Sequence, residues 1–238
     1  MGLGGTGYAT ARPSDGVRAK RVRDPVDWPL YGIVDKDWLK GRTAEAVAEG
    51  LVRGGARVIQ YRDKTSERHE MCAAATRIRR ITSQSGVPLI INDRIDVAVS
   101  IDADGLHLGQ KDMPVDAARR IIGHEKIIGI SISRLEEFEA IVDADYIGVG
   151  ALFQTDTKKE AEPCGLDLVR RIRPRTGLPV IGIGGITLDR VAEVIRAGCD
   201  GIAVISGILG CEDVEHTAWQ FAERVRSAKN ARVIEWTT

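Results

Sequence analysis

From residue 30 onward, short apolar runs recur along the chain, and nearly every one gives way to a polar or glycine-containing cluster. The runs are 30–34, 58–61, 89–91, 106–108, 127–130, 146–149, 180–183 and 202–205. They are continuously apolar rather than alternating, the pattern of strands buried on both faces, as in a parallel sheet. Between them lie stretches of helical periodicity at 43–53, 67–83, 95–101, 114–121, 134–142, 165–174, 187–197 and 213–229. In the first of these, Ala44, Val47, Ala48 and Leu51 share one face, and the helix starts near Thr43. Ser66 reads as the N-cap of the second, and the third is short. The strand–helix unit averages ~25 residues, enough for a parallel crossover and unlike a short-repeat solenoid.

Eight such units predict an α/β protein: a single (β/α)8 TIM barrel over 28–238 with an N-terminal extension, 1–27. The alternative is an open doubly wound sheet, whose ligands gather where the strand order reverses. Here the polar clusters end nearly all eight runs, which favours closure, because a barrel brings all its strand ends to one catalytic face. Residues 1–27 are rich in Gly, Arg and Asp without apolar periodicity, and a flexible extension is expected there. Gly2, Gly4 and Gly7 fit a G-x-G-x-x-G spacing, but no strand precedes them, so the dinucleotide-binding mechanism is missing.

Composition adds mainly exclusions. Lys+Arg and Asp+Glu are both 34, so no net positive field recommends nucleic acid as a partner, although a local cationic site remains open. Cys72, Cys164, Cys199 and Cys211 follow no metal-ligand spacing. No apolar stretch is long enough for a membrane span, and the N-terminus lacks a signal-peptide core. A cytoplasmic protein is expected, with no membrane partner and with homo-oligomerisation left open.

The ends of the runs carry the candidate chemistry. Gly184-Gly185 and Ser206-Gly207 follow the seventh and eighth runs, where barrels often bind phosphate through backbone N–H groups; tight turns are the plainer alternative. Arg62 and Lys64 leave the second run with the two-residue spacing that puts them on one face. Lys158 lies in the loop after the sixth run with Thr155 and Thr157. Cations on two separate loops suit a polyanionic ligand. Asp93 ends the third run and Asp112 lies just past the fourth. Two carboxylates with substrate phosphates and water make a typical Mg²⁺ site, while helix capping is the competing role for each. His69, His124 and His216 fall in or beside helices, and His107 sits inside a strand, where a packed or hydrogen-bonded core role is expected. No nucleophile–base pair stands out, so the reaction is expected to run on departure of a phosphorylated group.

These features occur in an ordered set. Gln60-Tyr61-Arg62-Asp63-Lys64 resembles the Gln-Leu-Arg-Glu-Lys motif of the thiamine phosphate synthase family, and Asn92-Asp93-Arg94 matches its Asn-Asp-Arg signature. The segments 104–113, 129–131, 145–150, 155–158, 182–186 and 204–206 are similar to that family as well. The resemblance implies a transferase that joins an aminopyrimidine-methyl diphosphate to thiazole phosphate, giving thiamine phosphate and diphosphate. It implies that Arg62, Lys64, Asn92, Ser131 and Lys158 hold the diphosphate, with Gln60 near the pyrimidine. Arg62, Lys64, Ser131 and Lys158 would be catalytic, and the whole motif, Tyr61 and Asp63 included, would lie at the substrate. Asp93 and Asp112 would bind Mg²⁺, and Thr155, Thr157, Gly185, Ile205 and Ser206 would hold the thiazole phosphate. The loop 153–163 would act as a lid. Two departures stand out, Tyr61 for the usual Leu and Asp63 for the usual Glu. The rivals are a thiazole tautomerase of the same fold, a non-catalytic phosphate-binding relative and a sugar-phosphate barrel enzyme. The tautomerase is expected to carry His two residues after Ser131, where this chain has Ser133.

Overall fold

The computed structural model describes residues 27–155, 157 and 162–235. The predicted extension therefore lies outside the described residues, apart from Asp27, and so does Lys158. The strands are β1 (Leu30–Asp35), β2 (Val58–Arg62), β3 (Leu89–Asn92), β4 (Gly105–Leu108), β5 (Ile127–Ile132), β6 (Tyr146–Val149), β7 (Val180–Ile183) and β8 (Gly201–Val204). They pair in chain order, and β1 pairs with β8 in parallel, closing the barrel. The helices are α1 (Ala44–Arg53), α2 (Arg68–Gln84), α3 (Ile95–Ser100), α4 (Val115–Ile122), α5 (Leu135–Glu139), α6 (Gly165–Ile172), α7 (Val191–Ala197), α8 (Ser206–Leu209) and α9 (Val214–Glu235).

The continuous apolar runs are explained by two-sided burial. On β1, Leu30, Tyr31, Ile33 and Val34 are all buried, alternating between the barrel interior and the layer beneath the helices. Helix α1 covers that layer with Val47, Ala48 and Leu51, and Thr43 caps it by accepting from the Ala46 N–H at 3.1 Å. Trp28 plugs the barrel below the first strand, edge-on to Tyr31 and Tyr146 at ring separations of 6.0 and 5.3 Å.

The end of the barrel remote from the site is tied by one device used three times. Asp104, Asp145 and Asp200 each stand just before an even-numbered strand, and each accepts from a backbone N–H at the start of the preceding strand: Leu89, Ile128 and Val180, each at 2.8 Å. Each carboxylate also receives an arginine from the helical layer, namely Arg79 and Arg119 at 2.6 Å and Arg173 at 2.7 Å. Strand N–H groups without a ladder partner are thereby satisfied by a charged acceptor, which rigidifies the closed end.

Some local expectations are corrected. Ser66 does not cap α2; the N-cap is Glu67 without a side-chain bond, and the Ser66 hydroxyl accepts from Lys36 instead. The seventh helix begins at Val191 rather than 187. The last strand ends at Val204, and Ile205 becomes the N-cap of α8, an extra short turn the periodicity did not reveal.

Candidate active site

A cavity of about 600 Å³ enters the barrel at the C-terminal ends of the strands. Strand periodicity decides which motif residues reach it. On β2, Gln60 and Arg62 line the cavity, whereas Tyr61 and Asp63 do not. Tyr61 is buried and its hydroxyl donates to Asp63 at 3.0 Å; Asp63 also accepts from the backbone N–H groups of Thr65 and Ser66 at 3.0 and 2.9 Å. The expected placement of Tyr61 and Asp63 at the substrate is therefore corrected: they shape the turn that follows β2.

Arg62 is held by Asp35, the last residue of β1. Its Nη1 donates to Asp35 Oδ2 at 2.7 Å, across the β1–β2 register pair Asp35↔Arg62. The Asp35 side chain is 1% exposed. Burial pushes its carboxyl above the usual range, and the opposing Arg62 charge does not cancel the shift. A folded-state pKa above the unfolded value means that this group's stabilising contribution is present at acid pH and is lost as pH rises through the raised pKa. Asp35→Asn, neutral at every pH, is thus expected to melt no lower than the unmutated chain at pH 7. Its affinity for an anionic ligand should fall about tenfold as Arg62 loses its anchor. Thermal melts together with diphosphate titration check both halves.

Asp93 and Asp112 lie on adjacent strand ends. Asp93 adopts a left-handed backbone (φ 60) at the close of β3, with its N–H donating to His107 O at 2.8 Å. Its carboxylate pairs with Lys64. Asp112 accepts from the Gly109 N–H at 2.7 Å. Burial raises the Asp112 carboxyl first, and the hydrogen-bonded Asp93 carboxyl beside it raises it further. Neither residue caps a helix; the N-caps of α3 and α4 are Arg94 and Pro114. The capping alternative is not realised. Two carboxylates crowded into contact form a hard oxygen pair suited to Mg²⁺. Among the described residues no group of three or more His, Cys, Asp or Glu could hold a metal, so most ligands to such an ion would be substrate oxygens and water.

The opposite wall is built from the loops after β6, β7 and β8. Thr155, Thr157, Gly185, Ile205 and Ser206 all line the cavity. Gly185 has φ +64, and a Cβ there would stand 2.3 Å from Gln154 O, so only glycine lets these loops pack together. Arg190 fastens both, donating to Gly185 O at 2.9 Å and stacking over the Phe153 ring at 4.5 Å. Asn92 and Ser131 line the wall nearer Arg62. His107, expected in the core, also lines the cavity: its Nε2 lies 2.7 Å from Ser131 Oγ and its Nδ1 2.8 Å from Tyr146 OH. Its strand position signalled an inward side chain, but only the three-dimensional register reveals these partners.

Lys64, Asp93 and Asp112 stand outside the cavity lining: Lys64 and Asp93 closely follow Arg62 and Asn92 in the chain, and Asp112 is beside Asp93. Fold and site define a (β/α)8-barrel enzyme whose cavity sets a wall carrying Arg62 and Asn92 against a glycine-rich wall. The thiamine monophosphate synthase (TMP-TENI) family model matches residues 30–208. A thiamine-phosphate synthase of Chloroflexus aurantiacus is 48% identical over 198 residues, covering 82% of this chain and 91% of its own. That of Natronomonas pharaonis is 42% identical, covering 84% and 95%. A solved thiamine phosphate pyrophosphorylase from Pyrococcus furiosus superposes with a TM-score of 0.77 at 38% identity, covering 87% of this chain and 98% of that one. The chain belongs to the thiamine monophosphate synthase family. No helix among the described residues is long and apolar enough to cross a membrane.

Proposed function

We propose that the chain makes thiamine phosphate by joining an aminopyrimidine-methyl diphosphate to thiazole phosphate, releasing diphosphate. The observation that carries this reading is the two-walled cavity. Arg62, Asn92 and Ser131 line one side and the threonine and glycine loops the other. Asp93 directly follows the lining residue Asn92 in the chain, with Asp112 beside it.

In the reaction the pyrimidine CH₂–O bond breaks and its electrons leave with diphosphate. The resulting pyrimidinylmethyl cation is stabilised by the ring's amino group, and the thiazole nitrogen then forms the C–N bond. That nitrogen carries no proton, so bond formation needs no general base. The protein's task is to stabilise charge on the departing oxygens and to align the partners. Arg62, held rigid by Asp35, supplies a preorganised donor, and Asn92 and Ser131 add neutral donors. Mg²⁺ held by Asp93 and Asp112 would neutralise the diphosphate oxygens as charge develops. Closure over the cavity would exclude water, which otherwise traps the cation.

A tautomerase needs an acid–base side chain two residues beyond Ser131. Ser133 occupies that place, with its N–H donating to Glu137 Oε2 at 2.6 Å and its hydroxyl 3.2 Å from the same oxygen. A non-catalytic relative has no use for Asp93 and Asp112. The deciding experiment mixes both phosphorylated substrates with Mg²⁺ and follows thiamine phosphate and diphosphate. No product, or isomerisation of the thiazole alone, overturns the proposal. Within the same assay Lys158→Ala is expected to slow turnover about a hundredfold, the scale of losing one preorganised charge donor. Thiazole-phosphate affinity should stay within about twofold, because the Lys158 charge acts on the leaving group rather than on uniform binding. Unchanged turnover with weakened thiazole binding would place Lys158 at the other substrate.

A further inference from the structure

A continuous polar chain crosses the barrel along the floor of the cavity, all five of its members lining it. Gln60 Nε2 donates to Tyr31 OH at 2.9 Å, Tyr31 OH meets Tyr146 OH at 2.7 Å, Tyr146 OH meets His107 Nδ1 at 2.8 Å, and His107 Nε2 meets Ser131 Oγ at 2.7 Å. Gln60, Tyr31 and Tyr146 line the cavity yet are almost wholly screened from solvent, so their hydrogens are best satisfied within the chain of partners.

With the Gln60 amide nitrogen facing Tyr31, that requirement sets a direction. Tyr31 accepts from Gln60, so its own hydrogen goes to Tyr146. Tyr146 then donates to His107 Nδ1. A histidine that accepts at Nδ1 carries its proton on Nε2 and donates it to Ser131 Oγ. The Ser131 hydrogen is left to point into the cavity that Ser131 lines. In the reverse direction His107 would consume the Ser131 hydrogen, and Ser131 would turn lone pairs toward an anion. With the Gln60 amide nitrogen toward Tyr31, the reverse direction would also leave the Tyr31 hydrogen without an acceptor among these partners, which is costly.

We propose that Gln60, Tyr31, Tyr146 and His107 form a one-way hydrogen-bond relay that sets the Ser131 hydroxyl as a donor to a diphosphate oxygen; this deepens the reading of the cavity as a diphosphate site and rests on it. Tyr31, Tyr146 and His107 are positioning residues that act through Ser131. The relay starts at Gln60, which also lines the cavity, so the orientation of one ligand-facing amide sets the hydroxyl at the other end. Both phenols stay neutral, since burial raises Tyr31 and Tyr146 well above ordinary tyrosine, and a neutral phenol keeps the hydrogen that the relay passes on. Gly148 makes the room: a Cβ there would lie 3.3 Å from His107 Cε1 and 3.6 Å from Ser131 Oγ.

The test uses the full chain and inorganic diphosphate with Mg²⁺, so it needs no turnover. Nitrogen-15 NMR of the histidine rings, with His107 assigned from a His107→Gln sample, is expected to show the Nε2–H tautomer in the unmutated chain. An Nδ1–H tautomer overturns the proposal, and this measurement stands even if a variant fails to fold. By calorimetry, Tyr146→Phe and Ser131→Ala should each weaken diphosphate binding about tenfold, the scale of a hydrogen bond to a charged group. The double variant should bind no more weakly than Ser131→Ala alone, because both remove one interaction. Additive losses would mean that Tyr146 acts only through packing and would overturn the relay. Failure of the unmutated chain to bind diphosphate would bring down the diphosphate reading itself, an outcome distinct from a wrong tautomer or an additive cycle.

Discussion

Asp93→Asn is expected to lower the turnover of thiamine phosphate formation about a thousandfold while leaving the barrel folded, the scale of losing a metal-centred charge stabilisation at the leaving group. The substitution keeps the shape and removes one ligand charge. Asp93 sits in the left-handed region at φ 60, which Asn tolerates as readily as Asp, so the turn from β3 into α3 should survive. The backbone bond from Asp93 N to His107 O, 2.8 Å, does not depend on the side chain. Asp112 remains, anchored by Gly109 N–H, but a single carboxylate holds Mg²⁺ weakly. Lys64 is released from its ion pair and offers its charge to the diphosphate, yet a hydrated ammonium cannot bridge several oxygens as a metal does. The measurement is initial rate against Mg²⁺ concentration, with a thermal melt alongside. A shifted Mg²⁺ requirement with unchanged melting is the expected result. Full-rate product formation by the unmutated chain in EDTA would remove Asp93 and Asp112 from the chemistry.

The barrel was legible because two-sided burial writes itself directly into sequence. Each strand begins or ends within one or two residues of an apolar run, and Arg62, Asn92, Ser131, Gly185 and Ser206, at or after the ends of five runs, line one cavity, while Lys64, Asp93 and Asp112 stand outside that lining. The alternation within a strand was harder to use at the strand ends. Gln60 and Arg62 line the cavity while Tyr61 and Asp63 turn away, although all sit in one continuous motif. A motif match carries no information about which side of the strand a residue occupies; the pleat does. Asp35 directly follows the first apolar run in the sequence, but its partnership with Arg62 exists only through the β1–β2 register. The Asp104–Arg79, Asp145–Arg119 and Asp200–Arg173 ties were illegible for the same reason, since each joins residues 25 to 27 apart whose encounter depends on barrel closure. His107 shows the limit most clearly: its place within β4 was read correctly, but a strand residue of a barrel can be both in the interior and at the site.

Gly129→Ala is expected to destabilise the protein by about 4 kcal/mol, comparable to deleting a large core side chain, although it adds a single methyl group. Gly129 on β5 faces Tyr146 on β6 as a register pair. A Cβ there would stand 2.0 Å from Tyr146 Cζ and 2.4 Å from its hydroxyl, far inside contact distance. The ring can yield only toward the cavity it lines, away from its packing partners. Trp28, His107 and Tyr31 surround it at centroid separations of 5.3, 5.5 and 5.7 Å, and Tyr146 is 1% exposed. Either the ring leaves its hydrogen bonds with Tyr31 and His107, or β5 moves away from β6. For a chain of this size the loss corresponds to a fall of roughly 8–16 °C in melting temperature. Gly148→Ala supplies the contrast, because its nearest neighbour would be His107 Cε1 at 3.3 Å, a contact relieved by a few tenths of an ångström. That variant should melt within about 3 °C of the unmutated chain, a cost near 1 kcal/mol or less. It presses on His107 and Ser131, so diphosphate binding should suffer more than stability does. Melting of Gly129→Ala within 2 °C of the unmutated chain, an outcome set against the roughly 8–16 °C expected, would mean that the barrel floor repacks freely around Tyr146. A floor that loose could not hold the fixed hydroxyl and imidazole orientations on which Ser131 depends.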